Sequence, residues 1–257
     1  NEKIKEGLYS LIDDVLFIED AEKKGHYHPR IAAQSTYVYK SLSDYERWCF
    51  DRLYNDFFYH RHNDFWYGKA MWKLPPLINA TDMLVCGEDL GMSPDCVASV
   101  MSGEKILSLE IQRMPKDPKQ EFGNPYIYPY MCVCTTSTHD MSGIRAWWEE
   151  DREKTQHFFN NMLHEGGEAP FYAEPWVCDK IITLHLNSPA MLAIIPLQDL
   201  LSIDGNIRRE NPLEEQINVP ANPRHYWRYR MHLTMEQLMA SDEYNTLLRN
   251  KIANSGR

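Results

Sequence analysis

Tyr130-Met131-Cys132-Val133-Cys134-Thr135-Thr136-Ser137-Thr138-His139-Asp140 passes from an apolar run into a polar one with no break. A short continuous apolar run of this kind suits a strand covered on both faces, as in a parallel sheet. Residues 83–86, 106–111 and 190–197 have the same character. Helical signals lie between them. Ser93-Pro94 has the form of an N-cap followed by proline at the first helical position. Residues 144–163 carry charges and aromatics at helical spacing. Apolar strands alternating with helices imply parallel βαβ units, and four such units fit a half barrel or a small doubly wound sheet.

Upstream of Pro75-Pro76 the texture is helical. Ser43-Asp44-Tyr45-Glu46 is a capping box, with Ser43 as N-cap and Glu46 three residues on. Behind it Tyr45, Trp48, Cys49, Leu53 and Phe57 recur at helical spacing, and Asn63 is placed to cap a helix carrying Trp66, Ala70 and Met71. Residues 1–74 are therefore expected to form a helical segment and residues 75–257 the α/β part. No repeat period or Gly/Ser linker divides the chain.

The composition is that of a globular chain: 257 residues, 43% hydrophobic and 25% charged. Acidic residues (37) outnumber basic ones (27), a formal charge of -10 with no offsetting basic block, which argues against a nucleic-acid or membrane partner. Six scattered cysteines form no disulfide framework, and the cytoplasm is the expected compartment. Cys132 and Cys134 lack zinc-knuckle spacing, and His26, His28, His60 and His62 sit in polar context, so neither a metal nor a cofactor is expected. Nucleotide and serine-hydrolase signatures are absent from the sequence.

The polar residues at the strand ends carry the chemistry. Glu88 and Asp89 follow the first run, His139 and Asp140 the third, and Gln198 and Asp199 the fourth. The first two have a plain structural alternative. Glu88 or Asp89 could cap a turn, and Asp140 or Ser142 could be the N-cap of the helix carrying Trp147 and Trp148. In parallel α/β proteins, however, strand C-termini share one face, where reactive groups gather. Paired carboxylates with amides are what glycoside chemistry needs: one acid to protonate the leaving oxygen, and another carboxylate to attack or stabilise the oxocarbenium-like centre.

Cys86-Gly87-Glu88-Asp89-Leu90-Gly91-Met92, Ile111-Gln112-Arg113-Met114-Pro115 and Phe122-Gly123-Asn124-Pro125 resemble the amylomaltase, or 4-alpha-glucanotransferase, family (glycoside hydrolase family seventy-seven). So do Ser137-Thr138-His139-Asp140, Arg145-Ala146-Trp147-Trp148-Glu149-Glu150-Asp151 and Pro196-Leu197-Gln198-Asp199. Ile217-Asn218-Val219-Pro220 and His225-Tyr226-Trp227-Arg228-Tyr229-Arg230 continue the resemblance, which is closest to the long type of the enzyme. It implies a (β/α)8 TIM-type barrel acting on α-1,4-glucans. It further implies Glu88 as general acid/base, Asp140 as transition-state stabiliser, and Asp89, His139, Gln198 and Asn218 as substrate contacts.

The family's nucleophile is the Asp of an Arg-Ile-Asp-His segment, and no Arg-x-Asp-His occurs in these 257 residues. Residues 1–74 resemble the helical insertion that follows it in long members. The chain is thus expected to supply strands five to eight and to need an N-terminal half of the barrel as partner. Alone, it is expected to be inactive and to self-associate or fold poorly. An amylase-like hydrolase and a non-catalytic glucan-binding protein are the alternative readings.

Overall fold

The computed structural model describes residues 2–257 and divides into two compact units, residues 2–81 with 92–100, and residues 82–91 with 101–257. The first contains α1 (Glu2–Ile12), β1 (Phe17–Glu19), β2 (Tyr27–Pro29), α2 (Tyr37–Ser41), α3 (Asp44–Asn55) and α4 (Asn63–Ile78). The expected capping box is formed: Glu46 N–H donates to Ser43 Oγ, and Ser43 N–H donates to Glu46 Oε2 at 2.8 Å. The face of α3 that is buried differs from the apolar series Tyr45, Trp48 and Leu53, all of which are exposed. Phe50 and Tyr54, one turn apart, pack with Ala33, and the Tyr54 hydroxyl donates to the Ile31 carbonyl at 2.8 Å. Asn63 is the first helical residue of α4 rather than its cap, and that helix runs on through Pro75 and Pro76.

Helical texture gives way at β1 and β2, an antiparallel pair with Phe17 opposite Pro29 and Glu19 opposite Tyr27. Their turn is local chemistry. The Asp20 carboxylate accepts from the Glu22 and Lys23 amides, and Gly25 takes a left-handed φ of +82°.

The second unit is parallel α/β. β3 (Ser108–Ile111), β4 (Cys132–Thr135) and β5 (Leu192–Ala193) form a parallel sheet in that order, following α5 (Cys96–Gly103) in the chain. Cys86 adds a single parallel bridge to Leu107, so the expected first strand is reduced to one pair, with Met83 and Leu84 exposed. β4 is buried at every residue, as its continuous apolar run requires.

Three expectations are corrected here. α5 begins at Cys96, beyond Ser93-Pro94. The crossover from β3 to β4 contains no α-helix, only a 3-10 turn at Pro125–Ile127, because Pro115, Pro118, Pro125 and Pro129 interrupt it. The fourth run splits: β5 ends at Ala193, and Leu197–Leu201 form α9 behind Pro196.

Between β4 and β5 lie α6 (Ile144–Glu150), α7 (Arg152–Asn161) and α8 (Pro175–Leu186). Asp151 separates the first two, its carboxylate accepting from the Glu153 and Lys154 amides as cap of α7. The main core sits among these helices. Trp148, Phe158, Val177, Cys178 and Ile182 are fully buried, and Phe158 meets Phe122 and Trp147 edge-on at 5.0 Å each. α10 (Met235–Met239) and α11 (Asp242–Asn254) close the chain, with Tyr244 of α11 in the same core.

Candidate active site

Parallel pairing sends Cys86, β3, β4 and β5 in one direction, so the segments following them emerge at one edge of the sheet. Glu88 and Asp89 leave the first. Gly91 at φ +77° turns the chain just beyond them, which explains the glycine in Glu88-Asp89-Leu90-Gly91. The two carboxylates have different surroundings. Asp89 accepts the Leu109 amide at 2.9 Å and the Lys116 ammonium at 2.7 Å, with Glu110 completing the ion pair at 2.8 Å. Burial by itself lowers the Lys116 pKa, but bonds to both carboxylates raise it overall. Glu88 is exposed, and no ion pair or hydrogen bond holds its carboxylate among the described residues.

The loop after β4 presents His139 and Asp140. Neither Asp140 nor Ser142 caps α6; its N-cap is Gly143, which has no side chain to offer. Asp140 is half exposed and engaged at both oxygens. Asn218 Nδ2 donates to Oδ1 at 2.6 Å, and His139 Nε2 lies 3.2 Å from Oδ2. The His139 ring sits 5.0 Å from that of Trp227, which is exposed and tilted against it. Three of the sequence-predicted residues, Asp140, His139 and Asn218, are thus brought together across 78 residues of chain.

Gln198 and Asp199 do not belong to the exposed rim. Both are buried in the first turn of α9. Gln198 Nε2 donates to the Glu215 carbonyl at 3.3 Å. Asp199 accepts the Thr136 and Ser137 hydroxyls at 2.6 Å each and the Ile144 amide at 2.8 Å. The expectation of a third carboxylate at the rim is corrected accordingly: a helix start, not a strand end, places it inward.

Arg113, Lys116 and Trp227 are site neighbours that attention to carboxylates at strand ends passed over. Arg113 follows Ile111 of β3 by two residues, so a cation just past an apolar run was the available signal. Burial lowers its guanidinium pKa to about 10, against the pull of Asp199 and Glu150, so it stays charged near neutrality. Among the described residues no group of three or more His, Cys, Asp or Glu is placed to hold a metal ion. His28 pairs with Asp20 at 2.7 Å and His60 with Asp95 at 3.3 Å.

A parallel sheet whose strand C-termini lead into loops carrying carboxylates and an imidazole at one end is the arrangement of α/β-barrel proteins. The chain belongs to the 4-alpha-glucanotransferase family, glycoside hydrolase family 77, whose sequence profile matches residues 36–235. It is 38% identical over its whole length to the 4-alpha-glucanotransferase DPE2 of Oryza sativa subsp. japonica, of which it covers 27%. Over 68% of the chain it is 29% identical to a 4-alpha-glucanotransferase of Chlamydia muridarum, covering 33% of that protein. The chain therefore spans between a quarter and a third of these relatives' length. The amylomaltase of Streptococcus agalactiae, solved in complex with acarbose, superimposes on 71% of the chain and 35% of its own with a TM-score of 0.55. At 17% identity that likeness shows the fold, a TIM-barrel-type α/β architecture.

Proposed function

We propose that this chain supplies the acid/base and stabilising groups of a 4-alpha-glucanotransferase, and that the nucleophile comes from sequence outside these 257 residues. Asp140, held between Asn218 and His139 on the sheet edge from which Glu88 also emerges, is the observation that carries this reading. Here Cys86, β3, β4 and β5 correspond to strands five to eight of the barrel, and residues 1–74 to an insertion. A complementary N-terminal half is the required partner, an open edge left without it favours self-association, and the cytoplasm is the proposed compartment.

In the proposed reaction Glu88 protonates the glycosidic oxygen while the nucleophilic carboxylate bonds to the anomeric carbon of an α-1,4-glucan. The leaving chain departs with that proton. Glu88, now ionised, takes the proton of an acceptor 4-hydroxyl, whose oxygen displaces the carboxylate and restores the α-linkage. Asp140 grips ring hydroxyls throughout, its bonds strengthening as positive charge develops. Trp227 offers a ring face beside it, and Asp89 contributes contacts at the rim, whereas Gln198, buried against the Glu215 carbonyl, acts from within.

In the full-length protein Glu88→Gln should lower turnover of maltotriose by about 10²–10⁴-fold. A mechanism-based fluoro-sugar should label an aspartate outside residues 1–257. Labelling of Asp140, or unchanged turnover in Glu88→Gln, would overturn these assignments. Glucose with longer oligosaccharides as products would establish transfer; glucose and maltose alone would make the enzyme a hydrolase. Residues 1–257 alone should give neither.

A further inference from the structure

Asp140 lies on an exposed loop, yet its role under the proposed function requires a fixed position to within a fraction of an ångström. The loop has no regular structure between Thr135, the end of β4, and Ile144, the start of α6. Two buried ions of opposite sign fasten its two ends. On one side Arg113 donates to the Thr136 carbonyl from Nη2 at 3.0 Å and from Nε at 3.3 Å. The same Nη2 donates to the Ser142 carbonyl at 2.7 Å and lies 3.5 Å from the Met141 sulfur. On the other side the Asp199 carboxylate takes the Thr136 and Ser137 hydroxyls with one oxygen and the Ile144 amide with the other.

We propose that Arg113 and Asp199 are positioning residues that act through Asp140, a double clasp that closes the 136–144 loop and fixes where its carboxylate stands. Each ion bridges the start and the end of the loop, so neither end can shift without breaking charge-assisted bonds at the other. Both side chains are buried, Asp199 almost completely, so solvent cannot replace what a displaced end would lose. Arg113 is itself held from behind by the Trp147 ring, 5.1 Å from its guanidinium carbon. A lysine could keep the charge but not the planar fork that reaches both carbonyls. The remaining neighbours complete the device: the Ser142 hydroxyl donates to Glu150 Oε1 at 2.5 Å, anchoring the far end once more.

The proposal rests on the reading of Asp140 given above, and its test separates the two. In the full-length protein Arg113→Lys and Asp199→Asn should each lower kcat for maltotriose by about 10–100-fold, with KM moving by less than about 3-fold. The same substitutions in an Asp140→Asn background should lower the residual rate by less than about 3-fold, because the group they position is already gone. Equal losses in both backgrounds would reduce Arg113 and Asp199 to general structural residues and overturn the proposal.

Hydrogen exchange provides an arm that does not depend on activity. In Arg113→Lys the amides of residues 137–142 should exchange at least about 10-fold faster, while α7 and α8 keep their protection. Loss of protection throughout the unit, or no change in the loop, counts against the clasp. If Asp140→Asn retains full turnover, the reading of Asp140 fails, and exchange alone then decides whether the loop is clasped. Should Arg113→Lys not fold, Ser137→Ala removes one donor to Asp199 and permits the same comparison at smaller amplitude.

Discussion

Glu215 and Asp140 illustrate how differently two carboxylates of one chain are treated. Asp140 stands in solvent with an amide and an imidazole at its oxygens. Removing the Asn218 amide leaves only His139 at its other oxygen, so Asn218→Ala should reduce kcat on maltooligosaccharides by about 10-fold, consistent with loss of one charge-assisted contact of about 1.5 kcal/mol. Unchanged kcat would remove Asn218 from the site. Glu215 is buried, its carboxylate 3.0 Å from Arg145, which also donates to the Arg209 and Glu210 carbonyls. Burial raises its pKa to about 7 despite the Arg145 charge, and the negative Asp199 adds to the rise. Between the ordinary value of 4.5 and about 7, the folded protein keeps a proton that the unfolded chain has released. That contribution to stability is complete below 4.5 and lost as pH rises through 7. Buried His185, lowered to about 4 chiefly by desolvation, gives the opposite slope below 6.5 and is common to any Glu215 variant. Comparing wild type with Glu215→Gln by urea unfolding from about pH 5 to about pH 8, the wild type should lose ground as pH rises. A flat difference would contradict the raised pKa.

α6 starts without a cap of its own. Gly143 offers no side chain, and the Ile144 amide is satisfied by Asp199 of α9, 55 residues later. The glycine is needed for room rather than for backbone conformation: its φ of -63° is ordinary, but a Cβ there would stand 2.9 Å from Asp199 Oδ1. That oxygen belongs to a carboxylate tied by three hydrogen bonds and cannot step aside cheaply. Gly143→Ala should therefore destabilise the protein by about 1–3 kcal/mol, the range for forced overpacking, although alanine is the better helix former. A variant as stable as the parent would show that Asp199 has room to move.

Across the molecule the thiols divide by burial. Cys49 and Cys86 are exposed and Cys96 is half-buried, whereas Cys132, Cys134 and Cys178 are buried. Desolvation raises all three buried thiols, Cys132 to about 12 and Cys178 to about 11, so they hold little reactive thiolate at neutral pH. Alkylation followed by peptide mass spectrometry should mark Cys49 and Cys86 at least about 10-fold faster than the three buried thiols. Early labelling of Cys132 or Cys134 would mean that β4 is not covered on both faces. No helix among the described residues is long and apolar enough to cross a membrane. Ile4, Leu8, Leu11 and Ile12 of α1 lie on one helical face and are all exposed.

Local chemistry was readable from the amino-acid order alone. The Ser43 box, the buried run of β4, the helices on either side of the β3–β4 pair, and the presence of Glu88 and Asp140 beyond strand ends all depend on neighbours within a few residues. Pattern reading failed where such a neighbourhood carries two meanings. Residues 190–197 are apolar throughout, yet Pro196 ends the extended stretch and starts α9. The face α3 would bury was equally ambiguous, since aromatics surround that helix and packing against Ala33, Leu16, Tyr39, Phe58 and Tyr59 settles which of them become core. Tertiary structure alone decided the rest. Asn218 meets Asp140, Asp199 caps α6, and Arg113 spans Thr136 to Ser142 through bonds between residues 23 to 78 positions apart. A carboxylate's sequence does not say whether it will face solvent or be buried among donors. That depends on which distant hydroxyls, amides and cations the packed core brings within about 3 Å, because a buried charge persists only where they surround it.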